Sequence, residues 1–268
     1  MFVAKIQDTD AWWGTGGRKE GRPSVLDLID NGTMDVRTAA LLWLLAEHKT
    51  SFISAAVPQL AGKSAIATVL IDFLPPKYER VLSKGRDEDF SFLETSKPSE
   101  TYVLVPELSD HTPRYLWGDN VRRLFEALRD GYSFIATMHA DNPHDIISEL
   151  NSPPADVPSD LVHHVQVVIN IWMDYGEYGI IRRVSRISAL SPGPNVITLG
   201  RRHDLDGPFE HVASAETQSV LKRFTGLSAD GLESALGGRE ETLRQWLLQL
   251  PLSVADVQAK IESFYSSK

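Results

Sequence analysis

The chain has 268 residues, of which 42% are hydrophobic and 24% are charged, so a globular protein is expected and a disordered one is excluded. It contains no cysteine, which excludes disulfides, thiolate metal sites and cysteine nucleophiles. The formal net charge of -9 disfavours general binding to nucleic-acid backbones, and we expect no sequence-specific nucleic-acid partner. The pattern shows no membrane span of about 20 apolar residues and no secretory signal, so we expect a soluble, cytoplasmic protein.

The N-terminal part of the chain is predicted to hold an irregular arm (1–22) and two helices. The stretch Gly14-Thr15-Gly16-Gly17-Arg18 is compatible with a nucleotide loop, but no apolar strand precedes it, which favours a flexible arm. Ser24 is a good cap for a short helix that ends before Gly32. A second helix is predicted from Asp35, with one apolar face.

The middle of the chain alternates apolar runs with helical patterns. The predicted strands are 51–57, 101–105 and 132–138, and the predicted helices are 63–73, 113–129 and 143–150. Residues 77–100 are charged and show no clear period. Strands that alternate with helices at these lengths predict a parallel sheet covered by helices.

The pattern changes after about residue 163. Two runs, 165–171 and 180–187, flank a turn and predict an antiparallel hairpin, to which 196–199 adds a further strand. Beyond residue 215 only helices are predicted, at 216–225, 228–236, 239–250 and 253–266. The sequence therefore predicts an α/β domain at 23–212 and a helical subdomain at 213–268.

Gly62-Lys63-Ser64 lies where the first strand passes through a loop into a helix. A phosphate-binding loop has this arrangement, because its backbone N–H groups and helix N-terminus face the phosphates, its lysine reaches the outer phosphates and its hydroxyl holds Mg²⁺. The full motif also needs a glycine five positions before Gly62, where this chain has Val57. A lysine at an ordinary helix start is the alternative interpretation of these three residues.

Two more polar residues follow predicted strands. Glu107 comes after the second strand and His139 after the third. In nucleotidases, a carboxylate after a strand next to the phosphate loop holds Mg²⁺ or orients the attacking water. Ligands of parallel sheets bind outside the carboxyl ends of the strands, so Lys63, Glu107 and His139 are expected on one edge. Each residue alone could be structural, but the three together favour a site.

The order of these segments resembles the ATPase family of type II and type IV secretion, pilus assembly and the archaeal flagellum, in its RecA-like motor domain. Residues 57–64 (VPQLAGKS) resemble its phosphate loop G-P-T-G-S-G-K-[ST], and 104–110 (LVPELSD) its Walker B region. The most specific match is 131–142 (GYSFIATMHADN), which resembles the histidine box. Shorter matches are 23–29, 73–76, 182–187 and 261–265.

The resemblance implies an α/β fold: a RecA-like P-loop NTPase domain with a mainly parallel sheet, an antiparallel strand extension and a C-terminal helical subdomain. It implies ATP and Mg²⁺ as cofactors. The residues implied to cradle the phosphates are Pro58, Gln59, Leu60, Ala61, Gly62, Lys63, Ser64 and Ala65. Ser64 and Glu107 would hold Mg²⁺, Glu107 would also position the attacking water, and His139 would sense the γ-phosphate.

The implied partners are other ATPase subunits and a membrane platform protein of a secretion or pilus system. The subunits would form a homo-oligomer, a hexameric ring by resemblance, or a mixed ring with a related ATPase. A platform partner would place the chain peripherally at the inner face of the cell membrane.

The chain also departs from the family pattern. Val57 and Leu60 replace loop glycines, and Ser109 replaces the Walker B arginine. The acidic pair expected after Pro75-Pro76 is missing, with only Asp87, Glu88 and Asp89 nearby, and we expect no counterpart of the family's arginine-supplying N-terminal domain. Three functions stay open: an ATP-hydrolysing motor subunit, a catalytically weak nucleotide-sensing or structural relative, and, from the arginines at 182–186 and 201–202, a DNA-handling motor.

Overall fold

The computed structural model describes residues 21–177, 179–193 and 195–267. Most of the predicted arm at 1–22, with its glycine-rich stretch at 14–18, lies outside these ranges, so both interpretations of that stretch stay open. Within the described ranges the chain forms one eight-stranded sheet and eight α-helices. None of the helices formed by these residues is both long enough and apolar enough to cross a membrane.

The sheet has a parallel part and an antiparallel part. Its strands are β1 (Phe52–Ala55), β2 (Glu79–Leu82), β3 (Thr101–Leu108), β4 (Ser133–Met138), β5 (Val167–Gly176), β6 (Gly179–Ser191), β7 (Asn195–Arg201) and β8 (Glu210–His211). Their order is β2-β3-β4-β1-β5-β6-β7-β8. The pairs from β2 to β5 are parallel and those from β5 to β8 are antiparallel. The predicted mainly parallel sheet with an antiparallel extension is therefore confirmed.

Helices cover both faces of the sheet. They are α1 (Val25–Asp30), α2 (Val36–Glu47), α3 (Lys63–Asp72), α4 (Asp119–Arg129), α5 (Pro143–Asn151), α6 (Ala215–Thr225), α7 (Ala229–Leu247) and α8 (Val254–Ser266). Successive residues of β1 serve different faces: Phe52 joins the core formed with α1–α3 and α6–α8, whereas Ile53 joins the core formed with α4 and α5. All four residues of β1 are buried, as expected for a strand covered on both sides.

The C-terminal helices pack onto the same core as α2 and α3. Trp43 of α2 is fully buried and stacks on Phe73, with ring centroids 5.4 Å apart. Its Nε1 donates a hydrogen bond of 2.8 Å to the hydroxyl of Tyr265 in α8, and that hydroxyl donates to the Phe73 carbonyl oxygen. The core thus continues across the predicted boundary at residue 213.

Some predicted elements need correction. The aperiodic stretch 77–100 contains β2, an edge strand of four residues, and short 3₁₀ turns. The helix predicted from Pro113 begins at Asp119. The glycine pair at 237–238, predicted to separate two helices, lies inside α7, because buried leucines before and after the pair outweigh the roughly 1 kcal/mol that each glycine costs a helix.

Candidate functional site

The loop from β1 to α3 leaves the N-terminus of α3 without a side-chain cap. Gly62 occupies the cap position in the left-handed region, at φ 98°, and Leu60 is also left-handed, at φ 63°. The first N–H groups of a helix have no intrahelical partner and attract anions. The loop therefore leaves the N–H groups at the start of α3 open to an anion, and its outer side carries the exposed side chains of Val57 and Leu60.

Lys63 is folded back into this loop. Its Nζ donates hydrogen bonds to the carbonyl oxygens of Ala56, at 3.1 Å, and Pro58, at 3.4 Å. Burial lowers the pKa of Lys63 to about 8, and the negative charge of Glu107 partly opposes that shift. The ammonium is thus held by loop carbonyls, within reach of a ligand that would offer it stronger acceptors.

Glu107 lies within β3 and not after it, which corrects the predicted strand end. The register between β3 and β4 shifts between Val105 and Leu108, and Pro106 in that interval has no N–H to offer the sheet. Such a bulge redirects a side chain. The Glu107 side chain is buried, and its Oε1 accepts a hydrogen bond of 2.8 Å from the Ser109 hydroxyl.

His139 follows β4 and joins the other two residues. Its Nε2 lies 3.6 Å from Glu107 Oε2, and Lys63 Nζ lies 3.3 Å from both of its ring nitrogens. Its Nδ1 is 2.9 Å from the Val57 carbonyl oxygen, so Nδ1 carries the hydrogen of that bond. The structure therefore brings Lys63, Glu107 and His139 together at the carboxyl edge of the sheet.

The remaining predicted site residues line the same loop or the start of α3. Pro58, Gln59, Leu60 and Ser64 are exposed, whereas Ala61 and Ala65 are buried. The Ser64 hydroxyl and the Glu107 carboxylate are oxygen donors of the kind that Mg²⁺ takes, so the residues present fit that ion. Either could hold it beside a bound phosphate.

Two of the acidic residues at 87–89, Glu88 and Asp89, are engaged in contacts of their own segment. Both carboxylate oxygens of Glu88 accept backbone N–H groups of its own loop, from Lys84 and Phe90, each at 2.8 Å. Asp89 pairs with the Lys84 ammonium at 2.8 Å. The contacts of Glu88 and Asp89 therefore stabilise the chain segment that follows β2.

Sequence reasoning missed two contacts at the site. His111 places its Nδ1 3.3 Å from Glu107 Oε1, and its only signal was its position four residues after Glu107. Arg182 of β6 donates from Nε to the Leu60 carbonyl oxygen at 2.7 Å, although the sequence had shown it only as part of a basic cluster. Its neighbour Arg183 donates to the Asn31 carbonyl oxygen at 3.1 Å. Both arginines thus have intramolecular contacts.

The sequence has distant relatives of unknown activity. No protein-family model matches it. It is 24% identical over 255 residues to the uncharacterized protein MJ1287 of Methanocaldococcus jannaschii, a match that covers 81% of this chain and 89% of that protein. It is 25% identical over 184 residues to the uncharacterized protein MJ0900 of the same organism, and this match covers 62% of this chain and 33% of that protein.

The solved structures to which this chain is similar are ATPases, and the similarity is low. One is the VirB11 ATPase of the Brucella suis type IV secretion system, with a TM-score of 0.37 and 14% identity, and the match covers 57% of this chain and 50% of that chain. Another is the Yersinia pseudotuberculosis ATPase DotB, with a TM-score of 0.38 and 13% identity, and the match covers 88% of this chain and 62% of that chain. The Legionella pneumophila ATPase DotB matches with a TM-score of 0.35 and 11% identity, and the match covers 82% of this chain and 62% of that chain. The chain spans 50–62% of the length of these structures. Similarity at this level assigns neither a family nor an activity.

Proposed function

We propose that the chain is an ATP-binding motor subunit of a type II/type IV secretion or pilus-assembly-like system that hydrolyses ATP at a degenerate phosphate loop. Residues 23–212 would form a RecA-like P-loop domain and 213–268 a helical subdomain. The observation that carries the proposal is the meeting of Lys63, Glu107 and His139 beside an uncapped helix N-terminus. At that place a lysine can bind phosphate oxygens, a carboxylate can hold Mg²⁺ or orient the attacking water, and a histidine can contact the γ-phosphate.

The proposed mechanism gives each of these residues a separate role. Lys63 would exchange the carbonyl oxygens of Ala56 and Pro58 for the β- and γ-phosphates, while the amides of the loop and of the first turn of α3 face the phosphate oxygens. Mg²⁺, held by Ser64 and Glu107, would neutralise phosphate charge. Glu107 would orient the attacking water. His139, in contact with the other two side chains, would respond when Lys63 moves to the γ-phosphate.

A catalytically weak or inactive nucleotide-sensing relative is the second candidate. Three observations favour it: Val57 and Leu60 replace glycines on the outside of the loop, Arg182 holds the Leu60 carbonyl, and Lys63 bonds to the loop itself. In phosphoryl-transfer enzymes, loss of an arginine that stabilises the transition state lowers the rate about 10³–10⁵-fold. Such a subunit would assemble in a mixed ring with an active ATPase, whereas the motor would form a homo-oligomer, in either case at a membrane platform protein.

Calorimetry with Mg·ATP, combined with phosphate-release assays, tests the proposal. We expect Lys63→Ala to abolish binding and Glu107→Gln to retain binding while turnover falls. The control is Lys49→Met, because Lys49 is a half-buried lysine whose Nζ bonds to the Gly131 carbonyl oxygen, away from the loop. Binding that depends on Lys63 without turnover would favour the nucleotide-sensing subunit, and binding that survives Lys63→Ala would contradict both candidates.

A further inference from the structure

We propose that Glu107, His111 and His139 form a binding site for a divalent transition-metal ion, with Zn²⁺ as the best fit. One ligand atom from each of these side chains lies within 4.8 Å of the other two. His111 Nδ1 is 3.3 Å from Glu107 Oε1, and His139 Nε2 is 3.6 Å from Glu107 Oε2. Tetrahedral Zn²⁺ with bonds of 2.0–2.2 Å places neighbouring donors about 3.3 Å apart, so donors that lie up to 4.8 Å apart must close by at most about 1.5 Å.

The orientation of His139 suits a metal ligand. Its Nδ1–H donates to the Val57 carbonyl oxygen at 2.9 Å, which leaves the lone pair of Nε2 facing the Glu107 carboxylate. A lone pair and a carboxylate oxygen are both acceptors, so a proton, an ammonium or a metal ion between them is required to satisfy both. Zinc-binding histidines commonly fix their second nitrogen on a carbonyl in this way.

Glu107 is held in place and His111 is able to close on it. The Glu107 side chain is 9% exposed and accepts a hydrogen bond from the Ser109 hydroxyl, which fixes its orientation. The loop that carries His111 is tied to the end of β3, because the Leu116 N–H donates to the Glu107 carbonyl oxygen and the Ser109 N–H donates to the Leu116 carbonyl oxygen. The His111 side chain is 59% exposed, so it can rotate toward the ion, and water can take the fourth position.

Lys63 is the cation that competes with the metal ion. Its ammonium lies 3.3 Å from both ring nitrogens of His139, next to the position that the ion would take. Two cations cannot share that position without strong repulsion. The ion therefore binds when Lys63 leaves the loop carbonyls, and removal of the ammonium strengthens binding. Because two of three donors are imidazoles, the site favours Zn²⁺, Cu²⁺ and Ni²⁺ over Mg²⁺.

The site gives the chain a means of inhibition. This consequence rests on the proposed function, in which Glu107 orients the attacking water. Zn²⁺ held by Glu107, His111 and His139 would displace the Mg²⁺ that Ser64 and Glu107 hold in that mechanism, so Zn²⁺ would stop ATP turnover while leaving the phosphate loop intact.

Zn²⁺ competition with a chromophoric chelator tests the site on the 268-residue chain. We expect His111→Ala to weaken Zn²⁺ binding at least tenfold, because one of three ligands is lost, and Lys63→Met to strengthen it by tenfold or more. The matched control is His144→Ala, an exposed histidine of α5. Co²⁺ should give the intense visible absorption of a tetrahedral complex in the wild type and not in His111→Ala. Equal Zn²⁺ affinities of the wild type and His111→Ala would overturn the site.

Phosphate release with added Zn²⁺ tests inhibition separately. We expect Zn²⁺ to inhibit the wild type, and the His111→Ala variant to need at least tenfold more. If the chain does not hydrolyse ATP, the proposed function fails but the chelator experiment still decides the metal site. If Zn²⁺ does not bind, the site fails while the Lys63-dependent binding of ATP stands. Urea unfolding of each variant shows whether a variant that no longer binds Zn²⁺ has also lost its folded structure.

Discussion

Replacement of Gly62 by alanine perturbs the loop between β1 and α3 in two ways that can be separated. The residue holds φ 98°, a left-handed conformation that costs a residue with a side chain about 1–2 kcal/mol. An added Cβ would also lie 3.1 Å from Arg182 Cδ, so the arginine must shift, and its hydrogen bond to the Leu60 carbonyl would weaken by about 1 kcal/mol. We expect Gly62→Ala to lower the free energy of unfolding by about 2–3 kcal/mol in total.

Urea unfolding of a double-mutant cycle measures both parts. In an Arg182→Ala background the steric part is gone, so we expect Gly62→Ala to cost only the backbone part, about 1–2 kcal/mol. The control is Gly237→Ala inside α7, where an added Cβ meets nothing within 4 Å and the change should stabilise the protein by about 0.5–1 kcal/mol. An unchanged urea midpoint for Gly62→Ala would refute the left-handed cap, and an equal cost in both backgrounds would refute the Arg182 contact.

Other predictions concern charges and the C-terminal packing. Arg22→Met should cost about 3–5 kcal/mol in urea unfolding, since it leaves the buried Asp72 carboxylate without the guanidinium that bonds to both of its oxygens at 2.6 and 2.9 Å. Burial lowers the pKa of Lys49 from 10.5 to about 8, so this group holds more protons in the unfolded chain between these pH values. Lys49 should therefore add about 1 kcal/mol of stability as the pH rises across them, after solvent screening, and Lys49→Met should lack this contribution while that of Lys63 remains. Tyr265→Phe should lower the unfolding free energy by about 1–3 kcal/mol, because the buried Trp43 N–H loses its acceptor, and an unchanged thermal midpoint would contradict that contact.

The central strands and most helix starts could be predicted from sequence because local chemistry determines them. Three of the four residues of β1 are apolar and all four are buried, as expected for a strand covered on both faces, and the Ser24 side chain caps α1 as expected from its residue type. The rule that parallel strands end at one edge also explains why Lys63, Glu107 and His139 could be expected close together.

The rest of the site depends on tertiary contacts that leave no local pattern. The β-bulge that turns Glu107 inward requires β4 as its partner, and the approach of His111 to Glu107 depends on the fold of its loop. Arg182 reaches the loop before α3 because β6 lies next to β5, which pairs with β1. The edge strand β2 was missed because only one of its four residues is buried, so it shows no apolar run.

Hydrogen exchange followed by mass spectrometry, with and without Mg·ATP, tests the central claim most directly, since it locates the bound nucleotide. We predict that Mg·ATP slows exchange in peptides that span residues 56–66 and residues 105–111, and leaves those from α7 unchanged. Lys63→Ala should remove the protection. Binding of Mg·ATP with no protection in either segment, or with protection confined to the C-terminal helices, would contradict the claim that the loop before α3 is a nucleotide site.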